Sequence, residues 1–215
     1  MDQALEELIS SYKKIRPEIK KRLSEFRPIH KSDNEKIFSE LCYCILTANA
    51  NAVRCNEAIG ELEKKDLLLK GGPRHIRPIL RGRARFHNKK ADYIVGARKL
   101  FKSSGTLDIK SKLDAGDVIK AREWLVGNIK GFGYKEASHF LRNIGLGKNI
   151  AILDRHILKN LKKYGVITEI PDSVGSRRIY MEIEDKMKTF CKKTGIPLED
   201  IDLLFWSMQT GFVFK

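Results

Sequence analysis

The stretch GFGYKEASHFLRNIG, residues 131–145, constrains this chain more than any other. An apolar helical rhythm runs out near Ile129 and another begins near Tyr134, which leaves room only for a very short turn. Gly131 and Gly133 permit backbone angles and close approaches denied to other residues, and Phe132 between them can anchor the turn inward. Ala137, Phe140, Leu141 and Ile144 then recur at helical spacing and press the second helix against a core. Two helices must therefore pack across a tight glycine turn. The turn amides and the N-terminus of the following helix suit a phosphate, and Lys130 adds charge. An ordinary helix–helix connection uses the same residues, so the glycines alone do not separate the two readings.

The rest of the chain carries the same period. Leu5, Leu8, Ile9, Tyr12 and Ile15 predict a helix that breaks or restarts at Pro17, and Pro28 closes the region. Ser32 and Glu35 form a capping-box pattern ahead of IFSELCYCILTANANAVRCNEAIGEL, read as a buried helix, a loop at 49–51 and a second helix. GGPRHIRPILRGRAR reads as a basic loop that becomes helical from about His87, with Ile94, Ala97, Leu100 and Phe101 on its apolar face. Further helices are expected over 114–126, 155–163, 177–193 and 198–208, with Pro171 and Pro197 marking breaks. No sustained alternation, internal repeat or low-complexity linker interrupts this pattern, so the expected fold class is all-α.

Charge narrows the partners. Lys and Arg number 42 against 27 Asp and Glu, a net +15 spread along all 215 residues rather than gathered in a tail. Such a field favours a polyanion, nucleic acid ahead of an anionic membrane surface, although a merely soluble basic surface has the same composition. Five arginines from Arg74 to Arg85 suit phosphates and solvent equally well. With 42% hydrophobic and 32% charged residues, a globular fold is expected over a disordered one. MDQALEELISSYKK is too acidic and too weakly apolar for a secretory signal, and no run approaches about 18 apolar residues. A soluble, intracellular protein with no membrane partner is expected. Cys42, Cys44, Cys55 and Cys191 have no metal-cluster spacing and read as reduced, buried thiols.

Two residues near the glycine turn bear on chemistry. Lys135 lies in the first turn of the helix that follows; a lysine there is ordinarily a solvated charge, but a neutral amine is a nucleophile. Asp154 comes 154 − 135 = 19 residues later, after the apolar AIL and before the periodic Ile157, Leu158 and Leu161. An aspartate at that position is a good N-cap, and the same carboxylate can also face a pocket. A lysine and a carboxylate beside a phosphate-binding turn form a constellation more specific than either member.

GFGYKEASHFLRNIG together with ILDRHIL resembles the helix-hairpin-helix DNA glycosylase superfamily, and within it the type 2 8-oxoguanine DNA glycosylase/AP lyases. The likeness extends over nearly the whole chain, including the terminal GFVFK. It implies two helical subdomains with an active-site cleft between them, one formed by 1–30 and 146–215 and the other by 31–145, which ends in the helix-hairpin-helix motif. It implies Lys135 as nucleophile and Asp154 as the catalytic carboxylate, with Lys130, Gly131 and Gly133 on DNA. Asn49 stands where relatives place a residue that enters the gap left by a flipped base, a plain loop asparagine being the other reading. The family's use of the chain end in base recognition points to Lys215 and its carboxylate, and Trp206 and Phe212 are aromatic surfaces for the base or core residues. The resemblance also implies duplex DNA containing 8-oxoguanine and abasic-site DNA as partners. Without the four-cysteine cluster of the endonuclease III-like branch, no iron–sulfur cofactor, and no metal or other cofactor, is expected. A cytoplasmic, nucleoid-associated monomer follows from this reading. A glycosylase for another damaged base, and a non-catalytic DNA-binding module, are the alternatives that the same residues allow.

Overall fold

In a computed structural model that describes residues 3–103 and 105–215, the glycine turn sits where two hydrophobic cores meet: Phe132 belongs to one and Tyr134 to the other. The first core grows around α2 (Asn34–Thr47), in which every residue from Ile37 to Thr47 is buried. A helix that is buried all round must be covered all round. The cover comes from α3 (Ala52–Lys64), α4 (Leu67–Lys70), α6 (His87–Phe101) and α8 (Tyr134–Asn143), with α5 (Pro73–Leu80) on α3 and α6, and α7 (Val118–Asn128) on α8. The second core joins the two ends of the described chain. There α1 (Gln3–Phe26) packs on α11 (Leu198–Thr210), which also meets α9 (Arg155–Lys163) and α10 (Arg177–Thr194). Tyr12 donates to Asp200 Oδ2 at 2.6 Å and Lys20 to its Oδ1 at 2.7 Å, so a buried carboxylate ties α1 to α11.

The all-α class holds, and the departures from the expected elements are local. Pro17 does not break α1. Its ring lies on the exposed face, where water can satisfy the carbonyl that loses its partner, and Leu8, Tyr12, Ile19 and Leu23 bury the helix on both sides of it. The cap of α2 is Asp33, which accepts from the Lys36 amide at 2.7 Å; Ser32 instead closes a short 3-10 turn over Ile29–Lys31. Residues 73–80, expected as loop, form α5, because Pro73 is suited to the first helical turn and Ile76, Ile79 and Leu80 supply a buried stripe that the arginines obscured. The helix expected from 114 begins only at Val118. Asp114 first accepts from the amides of Gly116 and Asp117, each at 3.1 Å, and folds those residues into a turn. A small antiparallel pair, β1 (Lys102–Ser103) and β2 (Thr106–Leu107), escaped detection because two residues per strand show no alternation.

All four cysteines are free and buried. No helix among the described residues is long and apolar enough to cross a membrane. Nor does any group of three or more His, Cys, Asp and Glu side chains among them come together to hold a metal ion.

Candidate active site

The turn between α7 and α8 closes with a hydrogen bond from the Phe132 amide to the Ile129 carbonyl at 3.1 Å, and buries the Phe132 ring against Phe140, 6.4 Å between centroids. The two glycines serve differently. Gly131 has φ +89°, and a β-carbon there would stand 2.7 Å from the Tyr93 ring, so both conformation and space require glycine. Gly133 has φ −107°, which any residue adopts. Its amide is taken by Glu136, one turn into α8, at 3.1 Å. A carboxylate therefore already occupies one of the donors that sequence reasoning had offered to a phosphate. Lys130 and Gly131 stay exposed at the tip.

Below the turn lies a cavity of about 230 Å³ between the cores, and it brings Lys135 and Asp154 to one space. Lys135 enters from the first turn of α8 with its side chain 18% exposed, and its Nζ lies 4.0 Å from Glu136 Oε1. Asp154 enters from the start of α9. One of its oxygens accepts from the Ile157 amide at 2.8 Å, so it is the N-cap that its position suggested, and it also lines the cavity. The segment before it, residues 151–153, is buried and carries the aspartate out of the second core.

Several cavity residues went unrecognised in the sequence. His139 and Arg142 stand one and two turns beyond Lys135 on the same face of α8, a spacing that would have found them. His139 is buried edge-on to Tyr43, 5.7 Å between centroids, and neither ring nitrogen makes a well-formed hydrogen bond. Burial, and then the charges of Lys135, Arg142 and Lys215, push its imidazole well below the usual histidine range, against a weaker opposing backbone contact at Lys215. Asp202, from α11, meets Arg142 Nη2 at 3.3 Å. Burial nevertheless raises its carboxyl to about 6, with Asp154 and Asp200 adding to the shift and Arg142 opposing it. Asp202 lies one turn before Trp206, so the same periodicity pointed to it.

The remaining sequence candidates are distributed around this centre. Trp206 lines the cavity, stacked on Phe214 at 6.0 Å. Phe212 does not line it; it meets Trp206 edge-on at 5.1 Å and is 44% exposed, because the chain turns at Gly211 and sends Phe214 inward in its place. Lys215 reaches the cavity, with its Nζ 2.9 Å from Glu40 Oε1 and 4.3 Å from the centroid of the Tyr43 ring, while its backbone oxygen accepts from Tyr43 at 2.9 Å. Asn49 is exposed on the α2–α3 turn with φ +53°, beside the cavity residues Ala50 and Asn51 but not itself among the lining. Of the five arginines, Arg77 pairs with Asp92 at 2.9 Å and Arg83 with Glu61, whereas Arg74, Arg81 and Arg85 face outward.

Comparisons with known proteins supply the family. The family model described as 8-oxoguanine DNA glycosylase matches residues 19–196. A protein of Fusobacterium nucleatum named 8-oxoguanine DNA glycosylase/AP lyase is 42% identical over 211 residues, covering 97% of this chain and 96% of that one. The Methanocaldococcus jannaschii protein of the same name is also 42% identical, over 98% of this chain and 97% of its own. Among solved structures, the 8-oxoguanine DNA glycosylase of Thermotoga maritima superposes with a TM-score of 0.88 at 34% identity, with both chains covered in full. The Methanocaldococcus jannaschii enzyme in complex with a 15mer DNA containing 8-oxoguanine gives 0.85 at 38% identity, over 97% of this chain and 99% of that one. A glycine turn, a lysine and an aspartate facing one cavity, and a likeness that spans the whole fold thus converge: the chain belongs to the 8-oxoguanine DNA glycosylase family.

Proposed function

We propose that this protein is a bifunctional 8-oxoguanine DNA glycosylase/AP lyase in which Lys135 and Asp154 carry the reaction, a reading that rests above all on their meeting in one cavity. The outward lysines and arginines and the tip at Lys130 and Gly131 hold the phosphates of duplex DNA, while the damaged nucleotide leaves the stack and enters between the cores. Asn49, on the exposed turn beside the cavity mouth, fits the gap the nucleotide leaves. The base rests against Trp206, with Lys215 on its polar edge and Phe212 supporting the indole. Asp154 takes a proton from the Lys135 ammonium, and the free amine attacks C1′ of the deoxyribose. The glycosidic bond breaks with its electrons going to the base, the proton held by Asp154 passes to the departing base, and the carboxylate so restored stabilises the positive charge on the sugar.

Lysine suits this chemistry better than water because the adduct persists. Ring opening leaves a Schiff base between Nζ and C1′, which acidifies the C2′ proton; its removal expels the 3′ phosphate by β-elimination. Hydrolysis of the imine then restores the amine. Base excision and strand cleavage thus share one covalent intermediate, and abasic DNA enters at the second step. The protein acts as a monomer on cytoplasmic, nucleoid DNA in this reading.

The test is a panel of duplexes carrying 8-oxoguanine opposite cytosine, an oxidised pyrimidine, uracil or an alkylated purine, each incubated with borohydride to trap the imine. Excision and trapping are expected first and fastest on 8-oxoguanine. Faster excision of another base would overturn the substrate assignment, and DNA binding with neither excision nor trapping would reduce the protein to a binding module.

A further inference from the structure

Between the cores, and outside the cavity lining, lies a buried polar group that the reaction as described does not use. Arg122 on α7 is 0% exposed, and Tyr180 and Glu184 on α10 are 0% and 1% exposed. Arg122 donates to both Glu184 oxygens, at 2.7 and 3.3 Å. Glu184 also accepts from the Ala151 amide at 2.8 Å. The Tyr180 hydroxyl donates to the Ala151 carbonyl at 2.8 Å and accepts from the Leu153 amide at 3.2 Å. Ser138, on α8 one turn beyond Lys135, places its hydroxyl 3.3 Å from Arg122 Nη1 and 3.4 Å from the Tyr180 hydroxyl.

A buried ion pair and hydroxyl are costly ways to fill a core. Their use lies in what they hold. Residues 151–153 have no regular secondary structure, so their buried backbone groups lack ladder or helix partners. Tyr180 and Glu184 supply partners for the Ala151 amide and carbonyl and for the Leu153 amide, and the segment they fix runs directly into Asp154. Through Ser138 the same group touches the helix that carries Lys135. The Tyr180 ring packs on Tyr134, 5.4 Å between centroids, and needs no hydroxyl for that contact. We propose that Tyr180 is a positioning residue for the reaction: its hydroxyl holds residues 151–153 so that the Asp154 carboxylate is set against the helix bearing Lys135. This rests on the assignment of Lys135 and Asp154 to the chemistry.

The experiment is Tyr180→Phe, which keeps the ring and removes the hydroxyl, measured by single-turnover excision from saturating 8-oxoguanine duplex and by DNA affinity. The rate of excision and of borohydride trapping is expected to fall about tenfold or more, because small displacements of a reacting group are expensive, while affinity stays within about twofold. Ser138→Ala, a milder change to the same group, is expected to slow the same step less. Tyr12→Phe is the control: it removes another interior tyrosine hydroxyl, the one bonded to Asp200 at 2.6 Å, and is expected to lower stability without slowing excision. A wild-type rate in Tyr180→Phe with Lys135→Gln inactive would overturn the positioning role alone, as would an equal slowing in Tyr12→Phe. Undiminished trapping in Lys135→Gln would overturn the site assignment, and the positioning role with it.

Discussion

The starts of α8 and α9 differ in how each handles its unpaired amides. Helix α9 opens with its own cap, Asp154, which accepts from Ile157 and still faces the cavity. Helix α8 opens at Gly133, which has no side chain to offer, and Glu136 reaches back from inside the helix to hold the Gly133 amide. Each helix also brings one charged group to the cavity near its start, but with opposite fit to the helix dipole. The carboxylate of Asp154 has the stabilising sign at a helix N-terminus, and the cation of Lys135 has the wrong one. A residue kept against the local field gains nothing from the helix, whereas one that favours it can have two roles at once. Lys135 is thus the cleaner mark of chemistry, and Asp154 is a cap whose second role shows only when the cavity is formed.

Mutations can separate these roles. The largest effect is expected for Lys135→Gln: no borohydride-trapped adduct at all, with the thermal midpoint unchanged or slightly higher. A large loss of stability instead would mean that the lysine has a structural role after all. Asp154→Asn comes next. Asparagine caps a helix as well as aspartate does, so turnover should fall by about 10²-fold with stability nearly intact. Asp154→Ala should match that loss of turnover and unfold more easily by about 1 kcal/mol, and the gap between the two variants measures the cap alone.

A second aspartate in the cavity sharpens the contrast, because Asp202 caps nothing. Burial lifts it from 3.8 to about 6, so the folded protein keeps this proton where the unfolded chain has lost it. The stability it contributes is therefore complete below about pH 4 and is lost as pH rises through about 6, a change on the order of 2–3 kcal/mol. Denaturation of Asp202→Asn beside wild type should show the variant gaining relative stability by about that amount between pH 4 and pH 7; a constant difference would refute the shift. The smallest effects belong to the glycines. Gly131→Ala should cost about 1–2 kcal/mol from its φ of +89° and the Tyr93 ring, whereas Gly133→Ala, 3.4 Å from the flexible Glu136 end, should lie within about 0.5 kcal/mol of wild type. Equal losses at both would show that the turn needs two glycines after all.

Much of this was legible because helical period is a local signal. The starts at Ala52, His87, Tyr134, Arg155, Arg177 and Leu198 all follow from turns, caps or prolines within a few residues. Errors arose where one residue's habit was outweighed by a neighbour's burial, as at Pro17, or where charge hid a short apolar stripe, as over Pro73–Leu80. In the site, Lys135 and Asp154 were readable from one stretch. His139 and Arg142 were within reach of the same helical arithmetic, and Asp202 was within reach through Trp206. The exchange of Phe212 for Phe214 at the cavity was not, since it depends on where the chain goes after Gly211, and nothing local encodes that direction.

The bond between Tyr12 and Asp200 spans 188 residues, and the core around it carries a consequence in time. The first core can assemble from neighbours along the chain, but α1 lacks its main partner until α11 exists. At about 5–20 residues per second of synthesis, its apolar face waits roughly ten to forty seconds for cover. The cavity is shared by both cores, so the ribosome finishes most of the protein before either Lys135 or Asp154 has a site to face.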